Sequence, residues 1–403
     1  LSRKCAIIGA GASGLVAAIE AAKKGAQVTI FEKNLKCGRK LLATGNGRCN
    51  ITNVDLDLGH FHGNNPKAIE QILRSFDTNS CVDYFRKIGL EIIEAENGKY
   101  FPMSGQARSV VELLVFTCKE LGVSILLDSE VLQLKCEKEQ FALQTDGQTH
   151  YFDRVLIASG SIASPGLGSS ESGLEFAREL GHNIYPTFAS LVQLITKKDL
   201  KSISGVKLSC VVNVLIQGKK TNHFEGDVLF TNYGLSGLAI LDASRSVGLA
   251  LEAGDRASIA LDLFPSFTKE ALRGIFLRRM KQFPSMPILK WLEGVIHHKI
   301  AKFLISELGL SFEGNLDSKT LNKLVHTCKH LEFEVEETRG SKSAEVMAGG
   351  VALDEVNPKT MASNKINGLY FSGEVLDVDG DCGGYNLHFA WASGIKAGRA
   401  MAC

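Results

Sequence analysis

The 403-residue chain has no long apolar run: nothing in it approaches the roughly 20 consecutive residues that span a bilayer, so no membrane-spanning helix is expected. It also has almost no net charge. Lys and Arg number 45 against 44 Asp and Glu, which excludes a general electrostatic pull toward nucleic acid or anionic lipid and leaves only local patches. None of the ten cysteines stands at CxxC spacing from another, so neither a redox dithiol nor a zinc site is encoded and no metal is expected. Scattered single thiols suit a reducing cytosol. The first residues enter a strand rather than a charged segment with an apolar core, so a cytoplasmic protein without a signal peptide is expected. A second GxGxxG behind a strand, the mark of a full nicotinamide domain, is missing too.

One such fingerprint is present. Residues 4 to 33, KCAIIGAGASGLVAAIEAAKKGAQVTIFEK, read as a strand (Lys4–Ile8), a glycine turn (Gly9, Gly11, Gly14), a helix from Ser13 to about Lys24, a second strand (Gln27–Phe31) and an acid, Glu32. Gly9 permits the tight turn, Gly11 lets the backbone approach a pyrophosphate, and Gly14 lets the helix pack on the strand. The unpaired N–H groups at the helix start hold phosphate charge. Glu32 accepts hydrogen bonds from ribose hydroxyls, which favours FAD or NAD over a 2′-phosphorylated nucleotide. The plainer alternative is a glycine turn that binds nothing.

Length implies two or three domains. Residues 33 to 53 mix Arg39, Lys40 and Arg48 with Gly45, Asn46, Gly47, Asn50 and Asn53, and predict a flexible cationic loop suited to phosphates or a flavin edge. Helical spacing runs through 66–88 to a C-cap at Gly89, and again from Gln106 to Leu121. Between them a hairpin is expected around Asn97-Gly98. The strand RVLIA from Arg154 ends in Ser159, Gly160 and Ser161, small residues of the kind a sheet presents to a cofactor. From about residue 188 the texture becomes antiparallel, and residues 268–332 read as a basic helical part. In the tail, NGLYF is a strand, followed by Ser372, Gly373 and Glu374. Gly380, Gly383 and Gly384 then precede a helix beginning near Tyr385 or Asn386, a second glycine-backed N-terminus able to stabilise negative charge. His326 and His330, four apart on a helix, lack further ligands at matching spacing.

The runs GAGASGLVAA, CGRKLLATGNGRCNITN, FTNYGLSGLAIL, NPKTMASNKINGLYFSGEVLDVDG and GGYNLHFAWASG together resemble the YhiN/BaiN-type NAD(P)/FAD-dependent oxidoreductases, which are related to aminoacetone oxidase. The resemblance covers essentially the whole chain. It implies an α/β fold: a Rossmann-like FAD domain of the two-dinucleotide-binding type, residues 1–188 and 345–403. Into this an insert is placed, with a β-barrel-like part (189–265 and 333–344) and a helical part (266–332). Carried over by position, Gly9, Gly11, Ala12, Ser13 and Gly14 hold the pyrophosphate, Glu32 the ribose, and Lys33, Arg39 and Lys40 the adenosine and phosphates. Val131 lies near the adenine. Gly45, Asn46, Arg48, Cys49 and Asn50 line the flavin region, Gly373, Glu374 and Asp379 the ribityl chain and pyrophosphate, and Gly384, Tyr385 and Asn386 the flavin pyrimidine edge. Departures occur at Ser159 to Ser161, at Leu238 and at Cys382, where relatives carry other residues.

The expected activity is FAD-dependent oxidation or reduction of a small organic molecule, with NAD(P)H as a transient donor. An oxygen-using amine or ketone oxidase, a tRNA-modifying flavoprotein contacting RNA through the basic helical segment, and a non-catalytic FAD binder are the alternatives. No side chain stands out as a general base. Arg48, Cys49 and Tyr385 are candidates for catalysis, whereas His388 falls inside a helix where packing is its expected role.

Overall fold

The computed structural model describes residues 2–95, 98–138 and 140–403. They form two compact units, one of residues 1–187 and 345–403 and the other of residues 188–344.

The first unit is built on a five-stranded parallel sheet in the order Leu369–Phe371, Arg154–Ile157, Lys4–Ile8, Gln27–Phe31, Ser124–Leu126. Its strands are largely apolar because it is covered both by helices, Ala12–Lys23 and Tyr385–Met401 among them, and by an antiparallel sheet of Gln133–Glu137, Gln140–Thr145 and Gln148–Phe152, whose Phe152 meets Phe31 at 5.8 Å. The chain leaves the central strand, Lys4–Ile8, toward one side and later returns on the other. The carboxyl ends of Lys4–Ile8 and Arg154–Ile157 therefore flank a topological switch point, where open α/β sheets place their ligands. The helices Ala12–Lys23 and Tyr385–Met401 pack closely. A Cβ on Gly394 would lie 2.4 Å from Ser13 O, and one on Gly398 would lie 2.2 Å from Ala17 O. That contact brings the last helix of the chain onto the first.

The second unit is a closed antiparallel barrel in the order Leu194–Thr196, Gly234–Ser236, Lys219–Phe230, Lys207–Ile216, Ala257–Asp262, Leu331–Thr338. Four helices, Lys269–Gln282, Ile288–Glu293, His298–Glu307 and Ser318–Lys329, follow its fifth strand in that order. Phe276 and Trp291 meet edge to face in their core, 4.9 Å apart. No helix of the described residues is long and apolar enough to cross a membrane.

Several local expectations change in the fold. The apolar spacing over 66–88 belongs to two helices, Pro66–Leu73 and Thr78–Lys87, because Asp77 accepts from Ser80 N and starts a new helix. The expected cationic loop contains a helix, Arg39–Gly47, whose regular turns give way at Thr44, Gly45 and Asn46. Residues Ile92–Glu94 and Lys99–Pro102 do pair as antiparallel strands; Asn97, in the turn expected between them, lies outside the described residues.

Candidate functional site

The three glycines of the first turn have separate jobs. A Cβ on Gly9 would meet Ala158 O at 2.6 Å, and one on Gly14 would meet Gly9 O at 2.0 Å, so the fold itself requires these two. Gly11 is different: nothing lies within 4 Å of its virtual Cβ, and its backbone is extended. The fold leaves that space open. The helix behind it starts at Ala12 without any side-chain cap, so the N–H groups around Ala12, Ser13 and Gly14 point at an open cradle.

Glu32, buried at the end of the second strand, holds this turn in place. Its Oε2 accepts from Ala10 N at 2.9 Å, and its Oε1 accepts from Asn34 N at 2.9 Å and Asn34 Nδ2 at 2.6 Å. Oε1 thus accepts two bonds already, whereas Oε2 accepts one and keeps lone-pair capacity for a ribose hydroxyl. Beyond it, Lys33, Asn34, Leu35, Lys36, Arg39 and Asp128 line a cleft of about 490 Å³. Arg39 is fixed over this cleft by Asn34 Oδ1 at 2.8 Å and Gly166 O at 3.1 Å. Val131 is buried in the first unit's core.

Farther along, Glu374 gathers distant segments. Lys40 Nζ lies 2.5 Å from its Oε2, and its Oε1 accepts from Ser161 Oγ at 2.5 Å and Met347 N at 3.1 Å. Gly373 donates to Ser393 Oγ on the last helix. Ser159 Oγ and Ser372 Oγ are buried with no partner among the described residues, and nothing fills the space beside Gly160.

The second glycine-backed helix closes the arrangement. Gly384, at φ 98°, caps Tyr385–Met401 without a side-chain bond, and its virtual Cβ would lie 3.0 Å from Asn50 Oδ1, an atom buried with no partner among the described residues. Asn386 grips Gly380 through both backbone groups, at 2.9 and 2.7 Å, and buried Asp379 leads into that residue. Gly45, Asn46 and Cys49 have positive φ, a conformation costly for the latter two and held here by the Cys49 N to Thr44 O bond of 3.0 Å. Arg48 is exposed, with its guanidinium 4.5 Å over Phe101.

Of the candidates for chemistry, Cys49 and Tyr385 are both buried, as is His388. Cys49 is fully buried, which pushes its thiol up to about 12, so it offers no thiolate at neutral pH. His388 is also fully buried. Burial lowers its pKa to about 4, and its ring bridges Thr52 Oγ1 at 2.8 Å and Phe76 O at 2.7 Å, so it ties elements together as a neutral group. Tyr385 stacks on His60, with centroids 4.4 Å apart and planes 14° from parallel. His60 and its neighbours His62 and Asp381 escaped the reading of the sequence. The alternation His60-Phe61-His62 was the one local signal; Asp381 joins only because Phe61–His62 pairs with Asp379–Gly380. Among the described residues, no group of three or more His, Cys, Asp and Glu is arranged to hold a metal ion; His326 and His330 simply stack, 5.9 Å apart.

A family profile described as the HI0933-like protein Rossmann domain matches residues 3–400. The chain belongs to the HI0933-like family of FAD-dependent oxidoreductases. Over 402 residues, 98% of both chains, it is 37% identical to a 3-dehydro-bile acid delta(4,6)-reductase of Clostridium scindens. Over 408 residues, 96% of this chain and 95% of the other, it is 34% identical to a ribosomal RNA dihydrouridine synthase of Haemophilus influenzae. In fold it is similar to a 3-ketosteroid delta1-dehydrogenase of Sterolibacterium denitrificans, with a TM-score of 0.51 at 12% identity over 100% of this chain and 99% of that one. The open cradle at Gly11 and the uncapped N-termini behind Gly11 and Gly384 fit the FAD of this HI0933-like family.

Proposed function

We propose that the chain uses FAD to saturate a carbon–carbon double bond conjugated with a carbonyl on a small organic substrate, with NAD(P)H as the donor. The carrying observation is the helix N-terminus at Gly384, Tyr385 and Asn386, set against Asn50 across the site. Bound FAD supplies two-electron hydride chemistry. The residues do the rest. Gly9, Gly11, Ala12, Ser13 and Gly14 hold the pyrophosphate, and Glu32 takes the ribose beside Lys33 and Arg39. Lys40, Glu374, Gly373, Ser159, Gly160 and Asp379 follow the chain between phosphates and ring. Asn50 and the 384–386 turn hold the pyrimidine edge, where the helix dipole stabilises negative charge. Residues 1–188 and 345–403 form the FAD-binding domain in this reading. The insert divides into a barrel part (189–265 and 333–344) and a helical part (266–332).

The relatives' names support the reaction class. A delta(4,6)-reductase acting on a 3-dehydro-bile acid and a synthase of dihydrouridine both saturate a carbon–carbon double bond, and in each the bond is conjugated with a carbonyl. The donor binds transiently in this reading, since the sequence carries one dinucleotide fingerprint.

A second reading, action on RNA, has one observation behind it: residues 266–332 contain eleven Lys and Arg against six Asp and Glu. The ion pair of Lys329 with Asp262, outside the segment, absorbs part of that excess. Anaerobic addition of NADH or NADPH to the yellow holoprotein, then of a 3-oxo-4,6-diene steroid acid or of unmodified ribosomal RNA, separates the readings. Bleaching followed by recovery with the steroid supports the first. Recovery with RNA alone supports the second, and no bleaching by either nucleotide removes NAD(P)H as donor.

A further inference from the structure

Phe61–His62 and Asp379–Gly380 pair as short antiparallel strands, and around them two histidines converge on one carboxylate. His60 Nδ1 donates to Asp381 Oδ2 at 3.0 Å, and His62 Nε2 donates to Asp381 Oδ1 at 2.7 Å. His60 Nε2 faces a second carboxylate, Asp55 Oδ2, at 3.4 Å. A carboxylate only accepts, so a ring with both nitrogens turned to carboxylates favours the doubly protonated imidazolium. The backbone is locked as well, since Asp381 N donates to His60 O at 3.0 Å.

The ring's charge is consistent with its surroundings. Burial works against the proton on His60, but the bonds to Asp381 and Asp55 outweigh it and raise the pKa above that of ordinary imidazole. Asp381 is pulled the other way. Burial favours its neutral form, yet His62 and His60 hold its pKa below the usual carboxylate range. The other groups near the ring are His62 on the strand that follows it, Tyr385 on the last helix, and Asp57, whose Oδ1 accepts from Gly59 N at 2.7 Å. The two His60 nitrogens are not equivalent. Nδ1 is tied to Asp381, whose side chain is 20% exposed, whereas Nε2 makes the longer contact to Asp55, whose side chain is 61% exposed. The movable proton is the one on Nε2.

We propose that His60 is the acid of the reductive reaction: held by Asp381 flat against Tyr385, it delivers from Nε2 the proton that completes saturation of the substrate's double bond. This rests on the reading of the reaction given above. The β carbon receives a hydride from the reduced flavin, with NAD(P)H as the ultimate reductant, and the π pair moves onto the α carbon and its carbonyl as an enolate. The Nε2–H bond of His60 then breaks as a C–H bond forms at the α carbon. The ring is left neutral and regains its proton from solvent. Asp381 is a positioning residue, setting the ring's plane and holding Nδ1 protonated.

The test is anaerobic single turnover of the FAD holoprotein, reduced by NAD(P)H and mixed with a conjugated enone, for the native protein, His60→Gln and Asp381→Asn. His60→Gln is expected to slow flavin reoxidation by the enone about 100-fold, far more than it slows bleaching by NAD(P)H, and to flatten the pH profile of reoxidation. Asp381→Asn is expected to keep a titrating profile moved to lower pH. Unchanged reoxidation in His60→Gln, with a native pH profile, overturns the assignment while leaving the reaction class standing. A native protein that no enone reoxidises overturns both. Histidine NMR titration of the native holoprotein gives a readout free of turnover and of the variants' folding: a His60 ring that titrates above ordinary imidazole supports the proposal, and one that titrates below it overturns the proposal.

Discussion

Glu32 Oε2 accepts the backbone N–H of Ala10 at 2.9 Å, so the acid at the end of the second strand fastens the glycine turn at the end of the first. The ribose contact proposed for Glu32 and the geometry of the turn thus share one carboxylate. Glu32→Gln turns an amide N–H toward either the Ala10 or the Asn34 donors and leaves buried N–H groups unpaired, at about 1–3 kcal/mol. Chemical denaturation should show that loss in the protein stripped of FAD, and a flavin titration should show affinity reduced about tenfold or more.

Gly11 and Gly14 separate folding from binding. Gly14→Ala drives a methyl to 2.0 Å from Gly9 O and should lower stability whether or not FAD is bound. Gly11→Ala meets nothing within 4 Å and has extended backbone angles, so the FAD-free protein should keep its stability within about 0.5 kcal/mol. Its FAD affinity should still fall about tenfold, because the methyl occupies the pyrophosphate's approach. Equal FAD affinity in Gly11→Ala and the native protein would place the pyrophosphate elsewhere.

His388 sets an acid limit. Burial lowers its pKa from 6.5 to about 4, so the unfolded chain takes up this proton before the folded one does. Stability from this group is therefore whole above about pH 6.5 and drains as the pH falls toward 4, by roughly 3 kcal/mol. Urea unfolding between pH 7 and pH 4 measures it, and His388→Gln, which does not titrate, should show a shallower decline.

Cys49 should be chemically silent. With its thiol pushed up to about 12, it should escape iodoacetamide at about pH 8 in the folded protein, while the exposed Cys136 and Cys403 react. Rapid alkylation of Cys49 accompanied by loss of turnover would restore it as a nucleophile.

What the sequence made legible is what local chemistry encodes. Lys4–Ile8 and Gln27–Phe31 are legible because a buried parallel strand is an unbroken apolar run, and Gly9 and Gly14 because a strand-to-helix turn this tight excludes a side chain. The start of the last helix at Tyr385 was legible for the same reason, behind glycines with positive φ. The break between Leu73 and Thr78 was hidden, since apolar spacing runs through it and only Asp77, acting as a cap, divides it. The His60, His62 and Asp381 cluster was hidden more deeply: its members lie some 320 residues apart and meet through a two-residue strand pairing that no local pattern announces. The mismatch at residues 33–53 has a similar cause. Gly38, in the left-handed region, starts a helix from Arg39 that the glycine and asparagine content alone would have denied.

The central claim is that FAD, held between Gly11 and the Gly384 turn, passes hydride to a carbonyl-conjugated double bond. Its most direct measurement is the anaerobic reoxidation of NAD(P)H-reduced holoprotein by a conjugated enone, with the product analysed by mass. The expected result is return of the flavin's colour in step with a product two hydrogens heavier. Return of colour only on admission of oxygen would contradict the claim.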